Sequence, residues 1–347
     1  MHRFRIRAGL AALSLVVVAT GCKFTGFDDT AIRTTSQKAR NWLVTKQLAG
    51  GSFEVGGFDG FETPDAILAI GEEAQQQSAW NADQARAAVR AVTIGGKSAL
   101  DWADTFSDGV INAGQAAKLI VLVAKPLGLG VKTFDPGRDG DVKNLIATVD
   151  AGAQPNGSYG AFNATLYAAL AKWSVDGAVP ANTLAYIRAG QQASGGWDFA
   201  NNPTATDADI DTTSLVIQVL VAAKVSPTDT DLVQALSYLV ANQRANGAWQ
   251  SFGADDPNST STAIMAITAV GGDAASSCWR DQVVPAKKGT PYASPLAWLR
   301  SQQASDGHIA SPNDSFPPVN TFATTQSIEA LRRGWLPAAY EAPRTCS

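Results

Sequence analysis

The chain has 347 residues, with 27 Lys and Arg against 31 Asp and Glu and a formal net charge of −4 at pH 7. This mildly acidic balance lacks the basic footprint of a nucleic-acid-binding protein, so nucleic acid is not expected as a partner. After the N-terminus, no stretch is apolar over the roughly 20 residues that a membrane-spanning helix needs.

The N-terminus has the pattern of an export signal. Three arginines within the first seven residues precede an apolar run, residues 8–18, which leads into Ala19-Thr20-Gly21-Cys22. Small residues directly before a cysteine resemble the lipobox of bacterial lipoproteins. We therefore expect removal of residues 1–21, lipidation of Cys22, a short tether over residues 22–35, and attachment to a membrane outside the cytoplasm. An ordinary signal peptide with an incidental cysteine is the alternative.

Two further cysteines, Cys278 and Cys346, fit an extracytoplasmic location. An even pair in an oxidising compartment predicts a disulfide, which would hold the C-terminal tail, residues 337–347, to the rest of the protein. Two free buried thiols are the alternative.

A spaced pattern recurs along the mature chain: an aromatic residue, a glutamine five residues later, a glycine after four more, and an aromatic two residues beyond it. A fourth copy, beginning at Trp298, ends in Ile309, a fifth at 154–159 lacks one residue, and a weaker sixth spans 102–109. The three full copies are Trp42, Gln47, Gly51 and Phe53; Tyr186, Gln191, Gly195 and Trp197; and Tyr238, Gln243, Gly247 and Trp249.

Each turn glycine is followed by a polar loop and an apolar helical segment that begins at a capping residue. Each copy is therefore predicted to be a hairpin of an amphipathic outer helix and a more apolar inner helix. Six hairpins can bury their apolar faces by closing into a ring, which predicts an all-α, (α/α)6 toroid of twelve helices over residues 36–336. Residues 128–142 and 273–292 interrupt the repeat. The predicted helix entrances are Thr63-Pro64, Asn112 to Gly114, Asn163, Asp211, Ser259 to Thr262, and Thr321.

The segments Gln192 to Trp197, Gln243 to Trp249 and Gln303 to Gly307 resemble the Gln-Trp repeats of the squalene-cyclase and prenyltransferase superfamily. The resemblance covers about residues 36–336 and implies the toroid fold. It does not imply one activity, because the superfamily includes terpene cyclases, protein prenyltransferase β subunits, cobalamin carriers and complement thioester domains.

The residues argue against the members that carry a metal or a cofactor. Zinc in the prenyltransferases is held by an Asp-x-Cys pair and a histidine, whereas Asp209-Ile210-Asp211 has no cysteine and His308, the mature chain's only histidine, follows a turn glycine. The Cys-Gly-Glu-Gln of thioester domains and a second domain that would close over a corrinoid are also missing. Neither a metal nor a cofactor is predicted.

The segment Asp207 to Ser214 is similar to the cyclase acid motif, Asp-x-Asp-Asp-Thr. The resemblance places Asp209 at the first aspartate and Asp211 at the proton donor, but Thr212 replaces the last aspartate. The alternative is that Asp211 caps the inner helix, where the helix dipole favours the ionised carboxylate. Aspartates 207, 209, 255 and 256 are also candidate sugar-hydrolase acids, although Asp255 to Asn258 is more typical of a turn.

The N-termini of the inner helices are expected to meet at one mouth and form a partly apolar funnel. The leading hypothesis is a lipid-anchored module that binds an apolar or amphipathic ligand, including an isoprenoid; the others are a class II terpene-cyclase-like enzyme using Asp211 and Asp209, and a structural envelope scaffold. The oligomeric state is not predicted. The expected ligand-binding residues are Asp65, Asn163, Tyr167, Phe199, Ser261 and Phe322.

Overall fold

A computed structural model describes residues 30–53, 60–75, 80–276, 279–283, 292–312 and 321–336. The predicted lipidation site Cys22, the predicted disulfide Cys278–Cys346 and the C-terminal tail lie outside the described residues. None of the described helices has the length and apolarity required to cross a membrane.

The described residues form fourteen α-helices and two short antiparallel β-hairpins, strands β1 (Thr93–Ile94) with β2 (Lys97–Ser98) and β3 (Gln250–Ser251) with β4 (Ala254–Asp255). The helices are α1 (Thr30–Val44), α2 (Thr63–Glu73), α3 (Ala82–Arg90), α4 (Ala99–Asp108), α5 (Ala113–Leu119), α6 (Leu145–Ala151), α7 (Phe162–Asp176), α8 (Ala181–Ala189), α9 (Ile210–Ala222), α10 (Thr230–Asn242), α11 (Pro257–Ala269), α12 (Trp279–Val283), α13 (Pro295–Ser301) and α14 (Thr321–Leu331). Residues 30–35, which were assigned to the tether, are helical as part of α1.

The inner ring consists of α2, α5, α7, α9, α11 and α14, and α5 continues into a π-helical segment, Ile120–Ala124. Each inner helix packs against the next, and α14 packs against α2, so the ring is closed. The six-hairpin toroid predicted from the repeats is confirmed. Helices α3 and α12 are additions to the twelve expected, and they lie in the connections after the first and fifth hairpins.

The repeated glutamine and glycine form the corner of four hairpins. In four copies the glutamine Nε2 donates to the carbonyl of the turn glycine at 2.8 to 3.2 Å. These glycines have φ between +89° and +107°, a left-handed backbone that glycine adopts without the steric cost of a Cβ. The weak copy does not form this corner, because Gly109 is extended after the end of α4.

A threonine of the inner helix supports the turn in five hairpins, namely those four and the 154–159 copy, whose glutamine donates to Gly152 instead of its turn glycine. Its hydroxyl accepts the backbone N–H two residues after the turn glycine at 2.9 to 3.0 Å, as Thr213 does for Trp197. The number of residues between the two partners varies, so a fixed-spacing search does not find the threonine. The bond joins the loop to the first turns of the inner helix.

The last hairpin contacts the first through the same kind of corner. Gln303 donates to the carbonyl of Thr35 in α1 at 2.8 Å, and Trp42 Nε1 donates to Asp306 at 3.1 Å. A Cβ on Gly307 would lie 2.7 Å from the carbonyl oxygen of Lys38. Helix α1 therefore closes the ring against the final turn.

The starts of α7, α9 and α11 differ from their predictions. Helix α7 begins at Phe162 after Ala161, which makes no side-chain cap, rather than after Asn163. Asp209, rather than Asp211, caps α9, since its carboxylate accepts the N–H of Thr212 at 2.7 Å. Asp256 caps α11 by accepting the N–H of Ser259, and proline occupies the first turn, so the turn predicted from Asp255 to Asn258 is wrong. In α9 and α11 the carboxylate nearest the preceding loop takes the cap, and the helix begins earlier than its apolar pattern indicates.

Candidate functional site

A cavity of about 240 Å³ lies inside the ring, where the first turns of several inner helices meet. Asp65, Asn163 and Asp211 come from the first turns of α2, α7 and α9. The lining residues are Phe61, Asp65, Lys118, Asn163, Leu166, Tyr167, Phe199, Asp211, Thr212, Leu215, Gln218, Thr262, Met265, Phe322, Gln326, Glu329 and Leu336.

One wall carries a buried cation surrounded by aromatic rings. Lys118 Nζ lies 2.6 Å from Asp65 Oδ2 and also donates to the carbonyl of Phe61. It lies 4.6 Å from the ring centre of Phe61, 5.6 Å from that of Tyr167 and 5.8 Å from that of Phe322. Ring faces attract cations, so the rings and the carboxylate together stabilise a charge that is only 10% exposed. We name Lys118, Asp65 and these three rings the lysine cage.

The cavity also contains carboxyl and phenol groups whose neutral forms are favoured. Burial raises the pKa of Glu329 well above its usual value, and the negative charges of Asp65 and Glu72 raise it further. Burial raises the pKa of the Tyr167 hydroxyl, and the nearby carboxyl groups of Asp65 and Glu329 raise it further. No described residue donates a hydrogen bond to Glu329 Oε1. This wall therefore offers uncharged hydrogen-bonding groups beside the lysine cage.

Asp211 faces the cavity from the first turn of α9. Its Oδ1 accepts a hydrogen bond from the hydroxyl of Thr262 at 2.9 Å. The residue is exposed where it faces the cavity, and the protein atoms packed around the carboxylate raise its pKa to about 6. The negative charges of Asp209 and Asp256 act in the same direction, whereas the threonine hydroxyl lowers the pKa. At pH 7 roughly one molecule in ten would carry the neutral acid.

The structure brings together most of the side chains expected at the mouth. Among the expected ligand-binding residues, Ser261 does not line the cavity, because its hydroxyl lies 3.3 Å from that of Ser327 between α11 and α14. Asp209, the other expected catalytic residue, also lies outside the cavity. The expected residues that line it are Asp65, Asn163, Tyr167, Phe199, Asp211 and Phe322.

Sequence reasoning missed Lys118 and Glu329. Lys118 is the single charged residue of a run, 116–124, that is otherwise apolar, and this isolation was its only sequence signal. Glu329 sits among polar and apolar residues in α14 with no pattern that separates it from an exposed glutamate. Neither position belongs to a repeated motif.

A groove of about 660 Å³ adjoins the cavity and shares Phe199 and Asp211 with it. Asp209 lines this groove together with Tyr238, whose hydroxyl donates to the carbonyl of Ala208. Phe252 projects from the β3–β4 hairpin and is 96% exposed. The groove gives a long ligand a path out of the cavity past Asp211.

Other candidate residues lie away from the cavity. His308 pairs with Asp306 and packs on Trp42 at the ring closure. Asp255 accepts hydrogen bonds from Asn246 and Gln250 at the hairpin. In the part of the chain that the structure describes, one group of carboxylates has a geometry suited to a metal ion, and it lies on the outer helix α4 rather than in the cavity.

No known family and no curated protein sequence matches the chain. Solved structures do match. The apo type II terpene cyclase MstE from Scytonema aligns with a TM-score of 0.59 and 12% identity over 87% of this chain and 97% of that one. A variant of that cyclase in complex with its substrate, geranylgeranyl dihydroxybenzoate, aligns with a TM-score of 0.59 and 11% identity over 87% and 97%. This chain shares the toroid fold of a type II terpene cyclase.

The same fold also occurs in a protein with different chemistry. A glycosidase variant in complex with glucose aligns with a TM-score of 0.50 and 12% identity over 87% of this chain and 96% of that one. Because one toroid serves both a terpene cyclase and a glycosidase, the fold alone does not assign an activity. The function must be argued from the cavity.

Proposed function

We propose that the chain is an exported, lipid-anchored protein that binds an amphipathic ligand in the central cavity. The observation that carries the proposal is the contrast within one cavity between apolar side chains, including Phe322 and Met265, and the carboxyl and hydroxyl groups of Glu329 and Tyr167, whose pKa values are raised by burial. Binding sites commonly combine an apolar lining with a few polar groups that orient the ligand.

The polar end of the ligand is proposed to be an uncharged oxygen group, such as an alcohol or a carbonyl. Lys118 is already paired with Asp65, so a ligand anion would have to compete with that carboxylate. Glu329, in contrast, lines the cavity and its Oε1 accepts no hydrogen bond from the described residues. A volume of about 240 Å³ lies below the range of about 300 to 1,000 Å³ typical of drug-sized ligands, so a longer ligand would extend into the groove.

The anchoring part of the proposal stands on the N-terminal sequence. Residues 1–21 would direct export and Cys22 would receive the lipid, which places the toroid outside the cytoplasm at the cell envelope. The Cys278–Cys346 disulfide is proposed on the same basis, since an oxidising compartment favours it.

Farnesol is the probe for the binding function, because it joins an isoprenoid chain to an uncharged hydroxyl. We expect saturable binding by isothermal titration calorimetry and an affinity at least tenfold weaker in Phe322→Ala, which removes a ring from the cavity wall. Val110→Ala is the control, since that side chain is fully exposed and lines neither the cavity nor the groove. Equal losses in both variants, or no binding by the wild-type protein, would contradict the proposal.

A class II cyclase is the second candidate, and the position of Asp211 in the cavity favours it. Protonation of an alkene needs a neutral carboxyl acid, and a pKa of about 6 leaves most of Asp211 ionised at pH 7. The residue beside it is Thr212, where the resembling motif has another aspartate. For these two reasons the cyclase is the less favoured of the two candidate functions.

Incubation with squalene and with geranylgeranyl diphosphate at pH 5.5 and pH 7.5 separates the two candidates. We expect no cyclic product by gas chromatography with mass spectrometry. A product that forms faster at the lower pH, disappears in Asp211→Asn and persists in the exposed control Asp207→Asn would establish the cyclase instead.

A further inference from the structure

The connection between the π-helical segment and α6 contains one of the two segments that interrupt the repeat, and it has an ordered fold. Phe134 and Lys143 exchange two backbone hydrogen bonds of 2.9 Å, and the ring of Phe134 is fully buried. Within the loop they close, the carboxylate of Asp135 accepts the N–H groups of Asp139 and Gly140. This arrangement holds Asp139 against the outer helix α4.

Three carboxylates meet where the loop contacts the helix. Asp104 and Asp108 are four residues apart on α4 and therefore share one face. Each of these two residues and Asp139 offers a carboxylate oxygen, and the three oxygens lie within 4.8 Å of one another. The group lies outside the central cavity, so the proposed ligand site does not use it.

Asp104 is buried and points an oxygen into this group. The residue is only 3% exposed, and its Oδ1 accepts no hydrogen bond from the described part of the chain. Its other oxygen, Oδ2, lies against the backbone of Gly137. A Cβ on Gly137 would lie only 2.2 Å from Oδ2, so the loop backbone can come this close to the carboxylate because glycine has no side chain. An ionised carboxylate in such a place is costly unless a cation accompanies it.

Two cations lie near the group, and Arg90 interacts with Asp104 only through space, without a salt bridge. Lys143 Nζ lies 3.0 Å from Asp141 and 3.6 Å from Asp108. Among the described residues, Asp104 and Asp139 have no ion-pair partner.

We propose that Asp104, Asp108 and Asp139 bind a calcium ion that fastens the loop to α4. A set made only of carboxylate oxygens suits a hard cation, whereas zinc sites use histidine or cysteine. Calcium accepts about six to eight oxygen ligands with flexible geometry, which fits two helix carboxylates and one loop carboxylate with water completing the shell. Magnesium requires a stricter octahedron and is the competing ion.

The test is calcium titration of the chelator-treated protein, followed by calorimetry and by thermal unfolding. Millimolar CaCl2 is expected to give saturable binding and raise the Tm of the wild-type protein by about 3 to 6 °C. Asp104→Asn should abolish both effects. Without calcium, this variant should unfold at the wild-type temperature or above it, because the substitution removes one of three like charges and keeps the side-chain shape.

Asp207→Asn is the matched control, since it removes an exposed carboxylate elsewhere and should leave the calcium response intact. Lys143→Met should tighten calcium binding, because it removes the cation that competes for Asp108. A wild-type protein that binds no calcium at millimolar concentration would overturn the proposal. An equal Tm response in Asp104→Asn would also overturn it, since the effect would then come from the acidic surface in general.

Discussion

Replacing Gly307 with alanine is expected to lower the free energy of unfolding by about 3 kcal/mol. Gly307 has φ +107°, which strains any residue with a Cβ. The new Cβ would also lie 2.7 Å from the carbonyl oxygen of Lys38, which is backbone inside α1 and cannot move aside cheaply. Urea unfolding followed by circular dichroism measures the change.

The matched control is Gly177→Ala, because Gly177 also has positive φ, +78°, but its Cβ would meet nothing within 4 Å. That variant should lose only the backbone strain, about 1 kcal/mol. Gly195→Ala tests a contact between two neighbouring hairpins within the ring, because a Cβ on Gly195 would lie 2.5 Å from the carbonyl oxygen of Gln234 in α10. If the ring is closed, Gly307→Ala should resemble Gly195→Ala. A loss no larger than that of Gly177→Ala would mean that the first and last hairpins separate easily.

The corners of the toroid could be predicted because their constraints are local. A glycine with positive φ and a glutamine four residues before it are both required by one turn, so they recur at fixed spacing. The threonine that completes the corner comes from another helix after a loop of variable length. Its partner is set by the three-dimensional fold, and spacing alone does not reveal it.

The position of the cavity could be predicted from the helix ends, whereas the charges and pKa values of its lining could not. Inner-helix N-termini carry short polar residues, and this placed Asp65 and Asn163 at the mouth. The cap of α9 was assigned to the wrong aspartate, because Asp209 and Asp211 are both suitable capping residues and only the backbone geometry distinguishes them. With Asp209 as the cap, Asp211 is free to face the cavity, where burial raises its pKa.

The lysine cage could not be inferred because its members come from separate hairpins. Lys118 belongs to α5, whereas Asp65 and Phe322 belong to α2 and α14. Only ring closure brings α2 and α14 together, so the cage depends on the whole toroid. Removing the cage should therefore destabilise the whole toroid.

Lys118→Met is expected to lower the free energy of unfolding by about 3 to 5 kcal/mol, because it leaves buried Asp65 without its cation. The loss should grow once the pH exceeds the folded pKa of Glu329 in the wild-type protein, because only there does a further rise of that pKa add to the loss. The pKa of Glu329 is already raised in the folded state, so its contribution to stability is fully present below the unfolded value of about 4.5 and is lost as the pH rises toward the folded value. Without Lys118 this folded pKa rises further, since the lysine lowers it.

Urea unfolding at pH 5 and pH 8 tests this expectation. Lys172→Met is the control, because Lys172 pairs with Asp150 and Asp176, which are about half exposed, and such pairs contribute less than about 1 kcal/mol. The double variant Lys118→Met with Asp65→Asn should recover part of the loss, since the carboxylate that faced Lys118 is gone. If Lys118→Met unfolds like Lys172→Met and shows no added pH dependence, water reaches the cage and the ion pair is not structural. If the double variant loses as much as the sum of the two single variants, Lys118 and Asp65 are not coupled.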